Sequence, residues 1–152
     1  MAKVQIKSGK LTPFGGQFFV ADQFKRQIMP YIDGYLGRRS RLVGYQYSEI
    51  LLAMMSNFFC GGDRTEDINV LKNKMPQHPD FKICSPDTVL RAMTELAEPD
   101  TEYSTDGGKT YRFNLAGKLN GLLVYTAIKS GMLTPEHTYD FDFDHEFIES
   151  ET

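Results

Sequence analysis

Between Ser48 and Cys60 the chain reads SEILLAMMSNFFC, apolar almost all the way round, and then stops at Gly61–Gly62. A helix without a polar face must be surrounded by protein, and glycine is the usual terminator for one. The stretch is too short to cross a membrane and is broken by Ser56 and Asn57. It therefore predicts a central buried helix that the other elements must cover. Its Met and Phe residues read as core packing rather than as a ligand pocket.

Several flanking segments can supply that cover. Phe18, Phe19, Phe24 and Ile28 fall in a helical register over about 17–28, and Pro30 ends or bends that helix. DGYLGRRSR reads as a basic loop. DRTEDINVLKNKM predicts a helix over about 65–74, with Thr65 as N-cap, Asp67 in the first turn and Ile68, Val70 and Leu71 as its apolar face. SPDTVLRAMTELA carries a strong start signal, with Ser85 as cap, Pro86 at the first position and Asp87 in the first turn. Over 86–97 its buried stripe is Val89, Leu90, Met93, Leu96 and Ala97, leaving Asp87, Arg91, Thr94 and Glu95 outward. EPDTEYSTDGGKTY is a polar linker or a hairpin that turns at DGG. Leu115, Leu119, Leu122, Leu123 and Ile128 then form the longest helical pattern, expected to pack on Ile50–Phe59. KVQIK, near the N-terminus, suggests a short edge strand or arm. The fold class is mainly α.

A hydrophobic content of 41% with 12% aromatic residues is that of a folded chain, which argues against wholesale disorder. MAKVQIKSGK lacks the apolar stretch of a signal peptide, so the protein is expected to be cytoplasmic, without a membrane partner. Cys60 and Cys84 then read as reduced thiols, and with His78, His137 and His145 they show no metal-ligand spacing. Net charge is −3, but its distribution is uneven. Residues 1–47 hold eight Lys/Arg against Asp22 and Asp33, a balance of +6, whereas 135–152 hold seven acids and no Lys or Arg. Such a gradient suits a polyanion at one place and cations at another. Arg38, Arg39 and Arg41 are the clearest phosphate-contact candidates, because phosphate binding needs only clustered positive charge.

The acidic end has its own pattern. In YDFDFDHEF, Tyr139, Phe141 and Phe143 alternate with Asp140, Asp142 and Asp144, a period of two that puts rings and carboxylates on opposite faces of a strand. It fits a solvated edge strand, a calcium loop or the first strand of a two-metal nuclease core. For the calcium loop, Asp140, Asp142, Asp144 and Glu151 occupy the first, third, fifth and twelfth places, but His145 stands where the sharp turn needs glycine. In a nuclease core an aspartate on a strand holds Mg²⁺ beside a phosphodiester.

KSGKLTPFGGQFF, LVGYQYSEILLAMMSNFFCGG, DRTEDI, CSPDTVLRAMTEL and YDFDFDHEFIES, in this order and spacing, resemble the beginning of bacterial insertion-sequence transposases of the DDE type. The likeness runs over nearly the whole chain and is carried by the combination of motifs. It implies a ribonuclease-H-like core with an Asp–Asp–Glu triad and Mg²⁺ as cofactor, the first aspartate lying in a pattern like DxDxT. That pattern falls on Asp142–Phe143–Asp144, which makes Asp144 the first triad member and metal ligand, with Asp142 beside it as the other possible register. His145 and Glu146 follow, with no threonine.

The family's second aspartate and its glutamate lie further downstream, so this chain is expected to be an N-terminal portion, inactive alone. The resemblance implies DNA at the element's ends as partner, and self-association or contact with full-length transposase. The expected organisation is a helical DNA-binding region over 1–100, a linker and long helix over 101–134, and the start of a truncated catalytic core over 135–152. Arg91, on the outer face of the 86–97 helix, joins Arg38, Arg39 and Arg41 as a DNA contact. The rival reading is a standalone helical module that binds DNA or protein without catalysis and inhibits transposition.

Overall fold

The computed structural model describes residues 12–40, 42, 44–75, 81–114 and 116–140. At its centre lies helix α3, Tyr47–Phe59. Glu49 Oε2 accepts from the Gln46 backbone N at 2.9 Å and closes its first turn. Beyond its C-terminus Gly61 takes φ 85°, the left-handed conformation that glycine allows at a helix end. Ile50, Leu52 and Ala53 are fully buried, but Phe58 and Phe59 in the last turn are exposed. The helix is thus covered over most of its length and open at one end.

Helix α1, Gly16–Gln27, lies against α3, and Gln17 Nε2 donates to Ser56 Oγ at 2.8 Å inside the contact. Ser56 in turn donates to Leu52 O, so the buried polar atoms satisfy one another. Where a loop beginning DGYL was expected, helix α2 spans Met29–Leu36. Helix α1 ends at Gln27, as expected ahead of Pro30, and Pro30 then stands in the first turn of α2, where its missing N–H needs no partner. A short 3₁₀ turn, Thr65–Asp67, leads into α4, Ile68–Lys74. The N-cap of that turn is Arg64 rather than Thr65, and Asp67 in its third position reaches back: its Oδ2 accepts from the backbone N of Asp63 and Arg64, both at 3.0 Å. Helix α5, Pro86–Leu96, starts with Ser85 Oγ accepting from Thr88 N, as its sequence signal implies.

The core joins α1, α3, α4, α5 and the approach to α5: Ala21, Ile50, Leu52, Ile68, Leu71, Phe81 and Val89 are among its members. On α4 and α5 the apolar faces are narrower than expected, since Val70 and Leu90 are exposed. Cys84 is buried in this core, and burial pushes its thiol up to about 11. It should therefore resist alkylation near pH 8 in the folded chain and react only after denaturant is added, as mass spectrometry would show.

The polar segment after α5 is a hairpin. Strand β1, Asp100–Ser104, pairs antiparallel with β2, Thr110–Asn114, in the register Glu102 opposite Arg112. Gly108, at φ 76°, sits in its turn.

Helix α6, Gly117–Lys129, packs mainly on α2 and not along α3 as its leucines suggest. Leu122 is buried, yet Leu123 and Ile128 are exposed. The reason lies where glycine meets tyrosine. A Cβ on Gly121 would strike the Tyr35 hydroxyl, and one on Gly34 would stand 3.7 Å from Tyr125 Oη. The Tyr35 and Tyr125 rings lie 5.2 Å apart between the helices. Only at Gly121 is the missing side chain required, to make room for Tyr35; a Cβ on Gly34 would make no more than an ordinary contact with Tyr125. The described fold is mainly α, and among the described residues no helix is long and apolar enough to cross a membrane.

Candidate nucleic-acid interface

The chain leaves α2 through Gly37 (φ 74°) and turns again at Gly44 (φ 83°) before α3. The arginines lie between these two left-handed glycines. Arg38 is exposed there, while Arg39 is only 6% exposed. Its Nε donates to Glu95 Oε2 at 2.7 Å and its Nη2 to Glu95 Oε1 at 2.6 Å, a bidentate ion pair with α5. Nη1 donates to Tyr45 O at 2.9 Å, and the guanidinium carbon lies 5.5 Å from the centre of the Tyr47 ring. Tyr47 Oη also donates to Glu95 Oε2, at 3.2 Å.

The Arg39 backbone is held as firmly as its side chain. Arg39 N donates to Gln46 Oε1 at 3.0 Å, and Gln46 Nε2 donates to Arg39 O at 3.3 Å. One side-chain amide thus imitates a strand partner. The electrostatics agree with the geometry. The hydrogen bonds from Arg39 hold the Glu95 carboxyl below the usual carboxylate range, and Glu95 raises the Arg39 guanidinium further. Burial pushes the Tyr47 hydroxyl up, and its bond to Glu95 adds to this.

Arg39 therefore has no face left for a phosphate, which corrects its expected role: it is a strut. A fully charged guanidinium in a loop 56 residues from its carboxylate ties that loop to α5. Arg38, the preceding loop residue, is exposed, as is Arg91 on α5, whose charge helps to lower the Glu95 carboxyl. The neighbouring Thr94 hydroxyl is spent on Leu90 O at 3.0 Å. The exposed α5 face, Asp87, Leu90, Arg91 and Thr94, thus offers one cation and few free polar donors, which suits holding a backbone better than reading base edges.

The chain matches no family model, no curated protein and no solved structure. Of the expected site residues, Arg38 and Arg91 are exposed, while Arg41, Asp142 and Asp144 lie outside the described residues. Asp140, the last described residue, is exposed. Among the described residues no three His, Cys, Asp or Glu side chains come together as a metal site. Glu95, Gln46 and Tyr47 had no functional signal in the sequence. Glu95 reads there only as an outward helix residue, beside Asp87, Arg91 and Thr94.

Proposed function

We propose that the chain is the DNA-binding N-terminal part of a DDE insertion-sequence transposase. Arg38, Arg41 and Arg91 contact phosphates, and Asp144, with Asp142 beside it, supplies the first catalytic position of a ribonuclease-H-like core. The observation that supports DNA binding is the Arg39–Glu95 pair. It spends one arginine to tie the basic loop to α5, and leaves Arg38 in that loop and Arg91 on α5 exposed. The catalytic assignment, and Mg²⁺ as its cofactor, rest on the sequence resemblance alone. A two-metal clamp draws carboxylates from several elements, so the 152-residue chain by itself should not nick DNA.

Fluorescence anisotropy with duplex DNA of mixed sequence tests the reading. Binding should be strong at about 50 mM salt and fall steeply by about 200 mM, as counterion release requires. Absence of binding at the lower salt overturns it. The rival, a protein-interaction module, draws on the exposed rings of Phe19, Phe58 and Phe59 at α1 and the end of α3. A chain that ignored DNA but lost self-association in Phe58→Ser/Phe59→Ser would favour that rival.

A further inference from the structure

Where α1 gives way to α2, the end of α6 closes a cleft of about 460 Å³. Arg26 and Gln27 line it from α1, Pro30 and Tyr31 from α2, and Lys129 and Ser130 from the end of α6. Its walls are tied together, since Tyr31 Oη donates to Lys129 O at 3.3 Å across 98 residues of sequence. No Asp or Glu among the described residues lines it.

Both cations are exposed, and among the described residues neither is paired with a carboxylate. Each is steadied at one point. Arg26 Nε donates to Asp22 O at 3.3 Å, which leaves the two Nη groups of the guanidinium fork for an acceptor. Lys129 Nζ lies 5.6 Å from the centre of the Tyr125 ring, a contact with the ring that still leaves ammonium N–H groups for an oxygen.

Arg26 and Lys129 each stand in the last turn of a helix, where a cation offsets the negative end. That role does not use them up. A helix end carries roughly half a charge, and the first turn of α2 brings a positive end to the same cleft. Two full positive charges therefore outweigh the two negative helix ends, and an anion is favoured there.

We propose that this cleft binds a phosphate of the DNA backbone, with the Arg26 fork and the Lys129 ammonium on the same phosphate group. A planar fork and a compact ammonium, coming from different walls, can share the oxygens of one tetrahedral anion. The proposal rests on the DNA-binding reading and adds to it a contact outside the Arg38 loop and α5.

Duplex-DNA affinity across salt, for Arg26→Gln, Lys129→Gln and the double variant, tests the shared site. All three should melt like the wild type, because both residues are exposed. The double variant should lose about 0.9 from the slope of log K against log salt, the share of one phosphate. Each single variant keeps a cation on that phosphate and should lose much less. Lys72→Gln/Lys118→Gln, an equal loss of charge at exposed positions, should leave the slope nearly unchanged. In the wild type the Arg26 Nε–H and Tyr31 ring signals in NMR should shift when DNA is added.

A loss of about 0.9 in each single variant and about 1.8 together would mean two separate contacts and overturn the shared site. An unchanged double variant, a control that falls as far, or unmoved signals with DNA bound would overturn it too, leaving the DNA-binding reading in place. A wild type that ignores DNA at low salt overturns that reading itself, and this site with it.

Discussion

Leu52→Asp is expected to leave no cooperative thermal transition in circular dichroism. Leu52 is fully buried on α3, within the cluster that joins α1, α4 and α5. The substitution removes an apolar side chain, typically about 2–5 kcal/mol, and forces a carboxylate without a partner into the same space. Each cost is comparable with the whole stability of a domain, about 5–15 kcal/mol. Leu122→Asp should do less. Leu122 is buried where α6 meets the rest of the fold but lies outside that central cluster, so the expected result is a lowered transition as α6 is released. Leu90→Asp, at an exposed position of α5, should change stability by about 0.5 kcal/mol or less. Equal melting of wild type and Leu52→Asp would contradict the placement of the core.

Glu95→Ala should cost about 3 kcal/mol, because it strands a guanidinium whose side chain is only 2% exposed. Breaking a buried pair by removing one partner costs about 3–5 kcal/mol, and Glu95, itself a third open to water, places this pair at the lower end. Arg39→Met/Glu95→Leu should regain much of the loss, since no charge is then left unpaired. The pair also sets a pH signature. Glu95 has its carboxyl held below the usual range by Arg39, so its contribution is complete above an ordinary carboxylate pKa of about 4.3. It is lost as pH falls through the lower value of the folded state. The melting temperature of the wild type should thus drop more than that of Glu95→Ala between about pH 5 and pH 2. Parallel pH profiles would mean that the pair carries no linkage.

The sequence gives away those elements whose signals are local. The Ser85–Pro86–Asp87 start of α5, the glycine stop after α3 and the DGG turn each need only neighbouring residues, and each lies where the pattern puts it. Helix α2 is hidden because Pro30 reads as a helix end and DGYLGRRSR as a basic loop, while Pro30 sits in a first turn. The exposed face of α6 is not legible either. Leucine spacing shows that a helix has an apolar side, but the approach of Tyr35 to Gly121 decides which neighbour it meets. In the candidate interface the clustering of arginines was legible and their division of labour was not. Arg38 and Arg39 are adjacent and chemically identical, and only a carboxylate 56 residues away separates an exposed cation from a buried strut. Nothing local connects residues 39 and 95.

The most direct measurement compares duplex-DNA affinity across salt for the wild type, Arg38→Glu/Arg91→Glu and, as a control, Lys118→Glu on α6. Arg38 and Arg91 are both exposed, so the double variant should fold and melt like the wild type. Its affinity should fall on every DNA sequence, and the slope of log K against log salt should shrink by about 0.9 for each lost contact, about two in all. Lys118→Glu should leave both quantities nearly unchanged. A double variant with wild-type affinity and slope would contradict the claim that Arg38 and Arg91 contact DNA phosphates.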